Sequence, residues 1–233
     1  MKKTTLTLLL LVWAVSLLAQ NKTLTLKDAV YNQFYGLAPK KLSQVQFIPN
    51  TKTFCYVEDW NKLIIKDLKN NQVEKIVISD VAKALKNKEG IDLTYFYDIK
   101  WIDENRFYQV LDAFVYVYNK STRAIEKTFA LPEGAANIFY CLEADAVAFT
   151  MENNLNILKN NEILKISEES NKGIVYGSDY VHRQEFGIDK GIFWSPKGNM
   201  LAFYRKDETM VADYPIVDFT QIPAVVNNIK YPM

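Results

Sequence analysis

The chain has 233 residues, 49% of them hydrophobic and 13% aromatic, a composition that excludes a disordered chain and suffices for a core. Its 28 basic and 27 acidic residues leave a net charge of +1, so no overall field draws in nucleic acid or an anionic membrane. The length permits one large or two modest domains.

Lys2 and Lys3 precede an apolar run from Leu6 to Ala19, too short for an ordinary membrane span and patterned as a secretory signal peptide. Cleavage is expected after Ala19, giving a signal over 1–19; an uncleaved anchor is the competing reading. Gln20 rather than cysteine follows the expected cut, which argues against a lipoprotein. The mature chain is therefore expected outside the cytoplasm, in a bacterial periplasm or beyond, with no membrane attachment. Residues 20–44 read as a lead-in, short helical or irregular, interrupted by Gly36 and Pro39.

From residue 45 to 233 a strand-turn unit recurs. Its first copy runs Val45 to Ile48, Thr53 to Val57, Lys62 to Leu68 and Val73 to Ile78. The stretch from Ser79 to Glu89 is the single helical insertion, with Ser79 or Asp80 as N-cap and Gly90 as stop. A second copy spans Tyr97 to Ile102, Arg106 to Leu111, Ala113 to Tyr118 and Ala124 to Phe129. A third spans Ala136 to Cys141, Ala146 to Met151, Asn154 to Leu158 and Glu162 to Ile166. The fourth opens at Gly191 to Trp194 and continues at Met200 to Arg205. Short strands with frequent turns and almost no helical period indicate an all-β fold. Recurrence every roughly 40–55 residues points to an incomplete β-propeller of about four four-stranded antiparallel blades. The aromatic residues Phe47, Trp101, Tyr140 and Trp194 on the opening strands are expected to bury their rings between blades. Cys55 and Cys141 sit inside apolar strand patterns, and two buried free thiols are favoured over a disulfide.

Between the third and fourth units lies Tyr180-Val181-His182-Arg183-Gln184-Glu185-Phe186-Gly187-Ile188, followed by Trp194-Ser195-Pro196-Lys197-Gly198-Asn199-Met200-Leu201-Ala202-Phe203. Together with Leu24 to Val30 and Asp207 to Asp218, these segments resemble the dipeptidyl peptidase IV family of prolyl-specific serine peptidases, bacterial branch. That family joins a β-propeller to an α/β-hydrolase domain. The resemblance implies that Glu185 binds the free α-amino group of a peptide with a penultimate proline, with Gln184 and Arg183 flanking it. A carboxylate ionised at neutral pH suits that task, because a charge-assisted hydrogen bond selects an ammonium. The competing reading is a surface carboxylate pairing with Arg183. Many relatives carry two glutamates here; this chain carries Gln184-Glu185, one charge. The family's substrate-gripping arginine has no counterpart in the hairpin from Phe107 to Tyr116, so no residue is assigned to that role.

No G-x-S-x-G nucleophile elbow occurs in the sequence, and His182 is the only histidine. The chain is thus expected to hold no catalytic residues, metal or cofactor, and to represent the N-terminal recognition portion of an exported serine peptidase. The alternative is a non-catalytic exported binding protein. Ser195, in W-S-P, reads as a turn residue, and Asp207, Glu208 and Asp213 as solvated turn groups. The resemblance also allows a homodimer of the intact enzyme.

Overall fold

The computed structural model describes residues 23–39, 41–178 and 186–230, so the signal segment lies outside it. The chain divides into two compact units, one ending at Lys41 and one beginning at Leu42. In the first, helix α1 (Leu26–Val30) opens on a capping box: Thr25 Oγ1 accepts from Asp28 N at 3.1 Å, and Asp28 Oδ2 accepts from Thr25 N at 3.0 Å. A 3₁₀ turn at Asn32–Phe34 follows. No helix among the described residues is long and apolar enough to cross a membrane.

The second unit is built of antiparallel sheets. Strands β1 (Ser43–Phe47), β2 (Thr53–Glu58), β3 (Lys62–Asp67) and β4 (Gln72–Val77) form the first, in that order. Helix α2 (Ile78–Glu89) leads to a second sheet of β5 (Lys100–Trp101), β6 (Arg106–Leu111), β7 (Phe114–Asn119) and β8 (Ala124–Ala130). The third comprises β9 (Ala136–Cys141), β10 (Ala146–Met151), β11 (Asn154–Lys159) and β12 (Glu162–Lys165). Consecutive strands pairing outward in sequence order make three successive four-stranded blades.

The fourth group departs from that plan. Strand β14 (Ile192–Trp194) pairs with β15 (Leu201–Phe203), while β13 (Ile174–Tyr176) pairs with β16 (Arg205–Asp207). A separate hairpin of β17 (Asp213–Asp218) and β18 (Val225–Lys230) follows.

Each sheet packs on the next in the chain. The first and second share a core of Cys55, Leu63, Ile65, Phe107 and Tyr118, sealed by Val81 and Leu85 of α2. The other face of the second sheet sends Tyr108, Val115 and Val117 against Tyr140, Val147 and Phe149 of the third. Because Val115 and Tyr116 are both buried, the second sheet is covered on both faces, and alternation of polar and apolar residues disappears there. Each such large side chain contributes roughly 1.5–3 kcal/mol on burial. On the far side of the third sheet, Ala146 and Ala148 present little bulk, and Ile192 and Trp194 close against them.

Three sequence expectations are corrected. Phe47 is 71% exposed: it pairs with Phe54, on the face of the first sheet opposite Cys55 and Val57, and Ile48 takes the buried place. The sheet's inner strand is bulged between Ser43 and Gln46, with Gln44 at φ +53°. Helix α2 starts at Ile78 with Val77 as N-cap and no side-chain cap, although Gly90 does end it at φ +73°. The strand expected over Tyr97 to Ile102 shrinks to Lys100–Trp101, because side chains occupy its neighbouring backbone groups. Gln44 accepts from Ile99 N at 2.8 Å and donates to Phe96 O at 2.9 Å, and Gln46 donates to Ile99 O at 2.9 Å. These amides stitch the inner strand of one blade to the next. Cys55 and Cys141 are both free and buried, as expected.

Candidate functional site

Asp179 to Glu185, including the proposed amine-binding residue Glu185 and its flanking Arg183 and Gln184, lie outside the described residues. The structure does describe where that segment departs and returns. It departs after β13 at Gly177 and returns through Asp189 and Lys190 to Gly191, ahead of β14. Both ends are held by one residue between β15 and β16. Gly177 N donates to Tyr204 O at 2.8 Å, and Tyr204 N donates to Gly191 O at 3.0 Å.

The two glycines are required by that crossing. Gly177 takes φ +67°, in the left-handed region, and a Cβ there would lie 2.9 Å from Cγ1 of Ile192. A Cβ on Gly191 would run into the peptide of Gly177, 2.6 Å from its carbonyl carbon. The described ends of the segment thus meet at Tyr204 through backbone hydrogen bonds, with the Ile192 side chain packed beside Gly177. Of its returning leg, Phe186 is 74% exposed.

Beyond that crossing the W-S-P-K-G turn is fixed firmly. Ser195 Oγ donates to Asn199 Oδ1 and accepts from Met200 N, each at 3.0 Å, and Gly198 N donates to Ser195 O at 2.9 Å. Gly198, at φ +65°, lies against the backbone of Glu143 and Ala144. Trp194 Nε1 donates to Phe139 O at 3.2 Å, tying β14 to the third sheet. Ser195 is thus a turn residue, as its sequence context predicts. Asp207 likewise accepts from Thr209 N and Oγ1, and Asp213 pairs with Lys230 at 2.9 Å.

The returning leg also lines a cavity of about 710 Å³ along the inner strands. Asp189 and Lys190 meet Asp98, Lys100, Glu143 and Trp101 there. Lys100 pairs with Asp98 at 3.1 Å and lies 5.2 Å from the centre of the Phe139 ring. Burial pushes the hydroxyls of Tyr108 and Tyr140 well up and raises the thiol of Cys141, so all three stay protonated at neutral pH. Among the described residues no three His, Cys, Asp or Glu side chains come together as a metal site. Sequence reasoning placed the motif but missed this cavity, whose charged residues come from three different inner-strand regions. It also missed the paired role of Gly177 and Gly191, for which the only signal was a glycine on each side of the motif.

The chain is similar over part of its length to several peptidases. The "Probable dipeptidyl-aminopeptidase B" of Pyrenophora tritici-repentis is 33% identical over 106 residues, and that of Penicillium rubens 35% over 105. These alignments cover 39% and 38% of this chain but 12% of each relative. The crystal structure of a candidate dipeptidyl aminopeptidase IV from Bacteroides ovatus superposes with a TM-score of 0.65 at 34% identity, over 83% of this chain and 27% of that one. The chain thus spans a minor part of the proteins it matches. Residues 94–233, more than half of the chain, match the model of the dipeptidyl peptidase IV (DPP IV) N-terminal region, and the chain belongs to that family.

Proposed function

We propose that this chain is the substrate-recognition portion of an exported dipeptidyl-peptidase-type serine peptidase, acting in a bacterial periplasm or outside the cell. In this reading Glu185 receives the free α-amino group of a peptide with a penultimate proline, and Gln184 and Arg183 flank it. Chemistry is performed by a serine, histidine and aspartate of a hydrolase domain that this sequence does not include, in an intact enzyme that forms a homodimer.

The observation that supports the reading is the glutamate-bearing motif, which the sequence carries between β13 and β14 in a chain of this family; Asp189 and Lys190, just after it, line the cavity. A carboxylate ionised at neutral pH suits an ammonium ligand. The test is binding of Ala-Pro-amide and its N-acetylated form to the full chain, followed by NMR. Tighter binding of the free amine, abolished in Glu185→Gln, supports the reading. Equal binding of the two peptides overturns amine recognition here. The rival reading, a non-catalytic exported binder, predicts a stop codon directly after the Met233 codon, whereas an in-frame continuation into G-x-S-x-G rules it out.

A further inference from the structure

Away from the inner strands, another cavity of about 270 Å³ lies among β13, β16 and β18. Three lysines from separate stretches of chain line it: Lys172 ahead of β13, Lys206 on β16 and Lys230 on β18. One carboxylate, Glu208, joins them, and Val175 and Ile229 supply apolar wall. Lys206 and Glu208 each expose only 15% of their side chains and pair at 3.1 Å. That contact lacks the geometry of a hydrogen bond, and Lys206 Nζ is closed off from solvent without a hydrogen-bond partner among the described residues. An ammonium carries three donors and no acceptor, and burying them unspent is costly. Lys230 is engaged already, donating to Val211 O at 2.8 Å and pairing with Asp213 at 2.9 Å. Lys172 is exposed, but its backbone is fixed. Asn153 Nδ2 donates to its carbonyl oxygen at 2.9 Å, and Glu208 N donates to Gly173 O at 2.7 Å. Three ammonium charges thus face two carboxylates, Glu208 in the wall and Asp213 beside Lys230, and one positive charge is left unbalanced.

We propose that this cavity is a binding site for a phosphate group, held by Lys172, Lys206 and Lys230. A phosphate supplies what the site lacks, oxygen acceptors for the unspent donors of Lys206 and negative charge for the unbalanced cation. The volume is several times the share of one water, about 30 Å³, and admits a tetrahedral oxyanion. A buried Lys–Glu pair is neutral by itself and calls for no further charge; the two additional lysines are what point to an anion. Bound phosphate bridges β16, β18 and the turn before β13, so it stabilises the fold by mass action. None of these residues belongs to the 180–188 motif, and the site is independent of amine recognition.

The experiment titrates the full chain with inorganic phosphate and, separately, with glycerol 3-phosphate, at an ionic strength held constant with chloride, and follows it by NMR. Saturable shifts of the Val175, Lys206 and Ile229 amides are expected with at least one probe, the tighter one telling a free anion from a monoester. The urea midpoint should rise with that same probe, because it binds the folded chain. Lys172→Gln, at an exposed position, is expected to keep its midpoint in chloride and to weaken binding roughly tenfold. Lys206→Gln combined with Glu208→Gln removes both charges of the buried pair, so no carboxylate is left unpaired, and should abolish binding. Should that double variant fail to fold, Lys172→Gln decides the matter. Lys165→Gln, on β12 and outside the cavity wall, should bind as the unaltered chain does. Shifts that never saturate with either probe, or full affinity in Lys172→Gln, overturn the site.

Discussion

The indole Nε1 of Trp101 donates to the thiol of Cys55 at 3.2 Å, across the core between the first and second sheets. Cys55 is fully buried, and burial raises its pKa, which outweighs the lowering by Trp101. A thiol so placed is neither a good nucleophile nor a ready disulfide partner. Cys141, free and buried in the third sheet, is raised in the same direction by burial. The native chain is therefore expected to leave Ellman's reagent almost unreacted over minutes, and to release two equivalents once unfolded in guanidinium. Rapid reaction of one thiol in the native state would show that a blade opens readily.

A second buried polar pair makes a stability prediction. Gln109, fully buried in the second sheet, donates to Tyr97 O and accepts from the hydroxyl of Tyr116. Removing that hydroxyl leaves the Gln109 carbonyl oxygen buried without the donor it now has, at a cost of roughly 1–3 kcal/mol. Tyr116→Phe is thus expected to lower the urea midpoint clearly. Tyr176→Phe, which removes only an exposed 3.4 Å contact with Arg205, should change stability by under about 0.5 kcal/mol. Similar losses in the two variants would mean that the Gln109 network contributes nothing particular.

These contrasts also mark what a linear reading could reach. The first three blades were legible because their strands are bounded by turn residues and carry apolar runs such as Ala146 to Met151, observed as β10. Strand β13 was missed because three residues in a polar stretch make no pattern, and its partner β16 lies thirty positions on. Strands β17 and β18 were missed for the opposite reason. They are largely exposed, carry Pro215, Asn227 and Asn228, and lack a buried face to impose alternation. Phe47 was misjudged because its face depends on pairing with Phe54 across a bulged register, which single-strand periodicity does not encode. At the site, the motif was visible but the contact of Gly177 with Gly191 was not, since it depends on both meeting at Tyr204.

Hydrolysis gives a third prediction. The sequence contains no G-x-S-x-G, and Ser195 spends its hydroxyl on Asn199 and Met200 within a turn. The purified chain alone is expected to release no p-nitroaniline from Gly-Pro-p-nitroanilide. Turnover that disappears in Ser195→Ala would reveal a nucleophile where the geometry gives a turn.

The last prediction concerns acid. Asp103 accepts from Asn105 N and Arg106 N at 2.8 Å and from Arg106 Nε at 2.7 Å, closing the turn between β5 and β6. Burial pushes its carboxyl pKa upward, but the Arg106 hydrogen bond, the two amides and the guanidinium charge together hold it below the usual carboxylate range. A carboxylate whose folded pKa is depressed stabilises the fold fully above its unfolded value, and that contribution is lost as pH falls through the folded value. Asp103→Asn keeps the shape and removes the charge, so it should cost roughly 1 kcal/mol or more near neutral pH. The gap between the two proteins should then narrow below about pH 4, as the native carboxylate takes up its proton. Urea unfolding at a series of pH values measures it directly. A gap that stays constant from neutral to strongly acid solution would show that the Asp103 charge does not hold this turn.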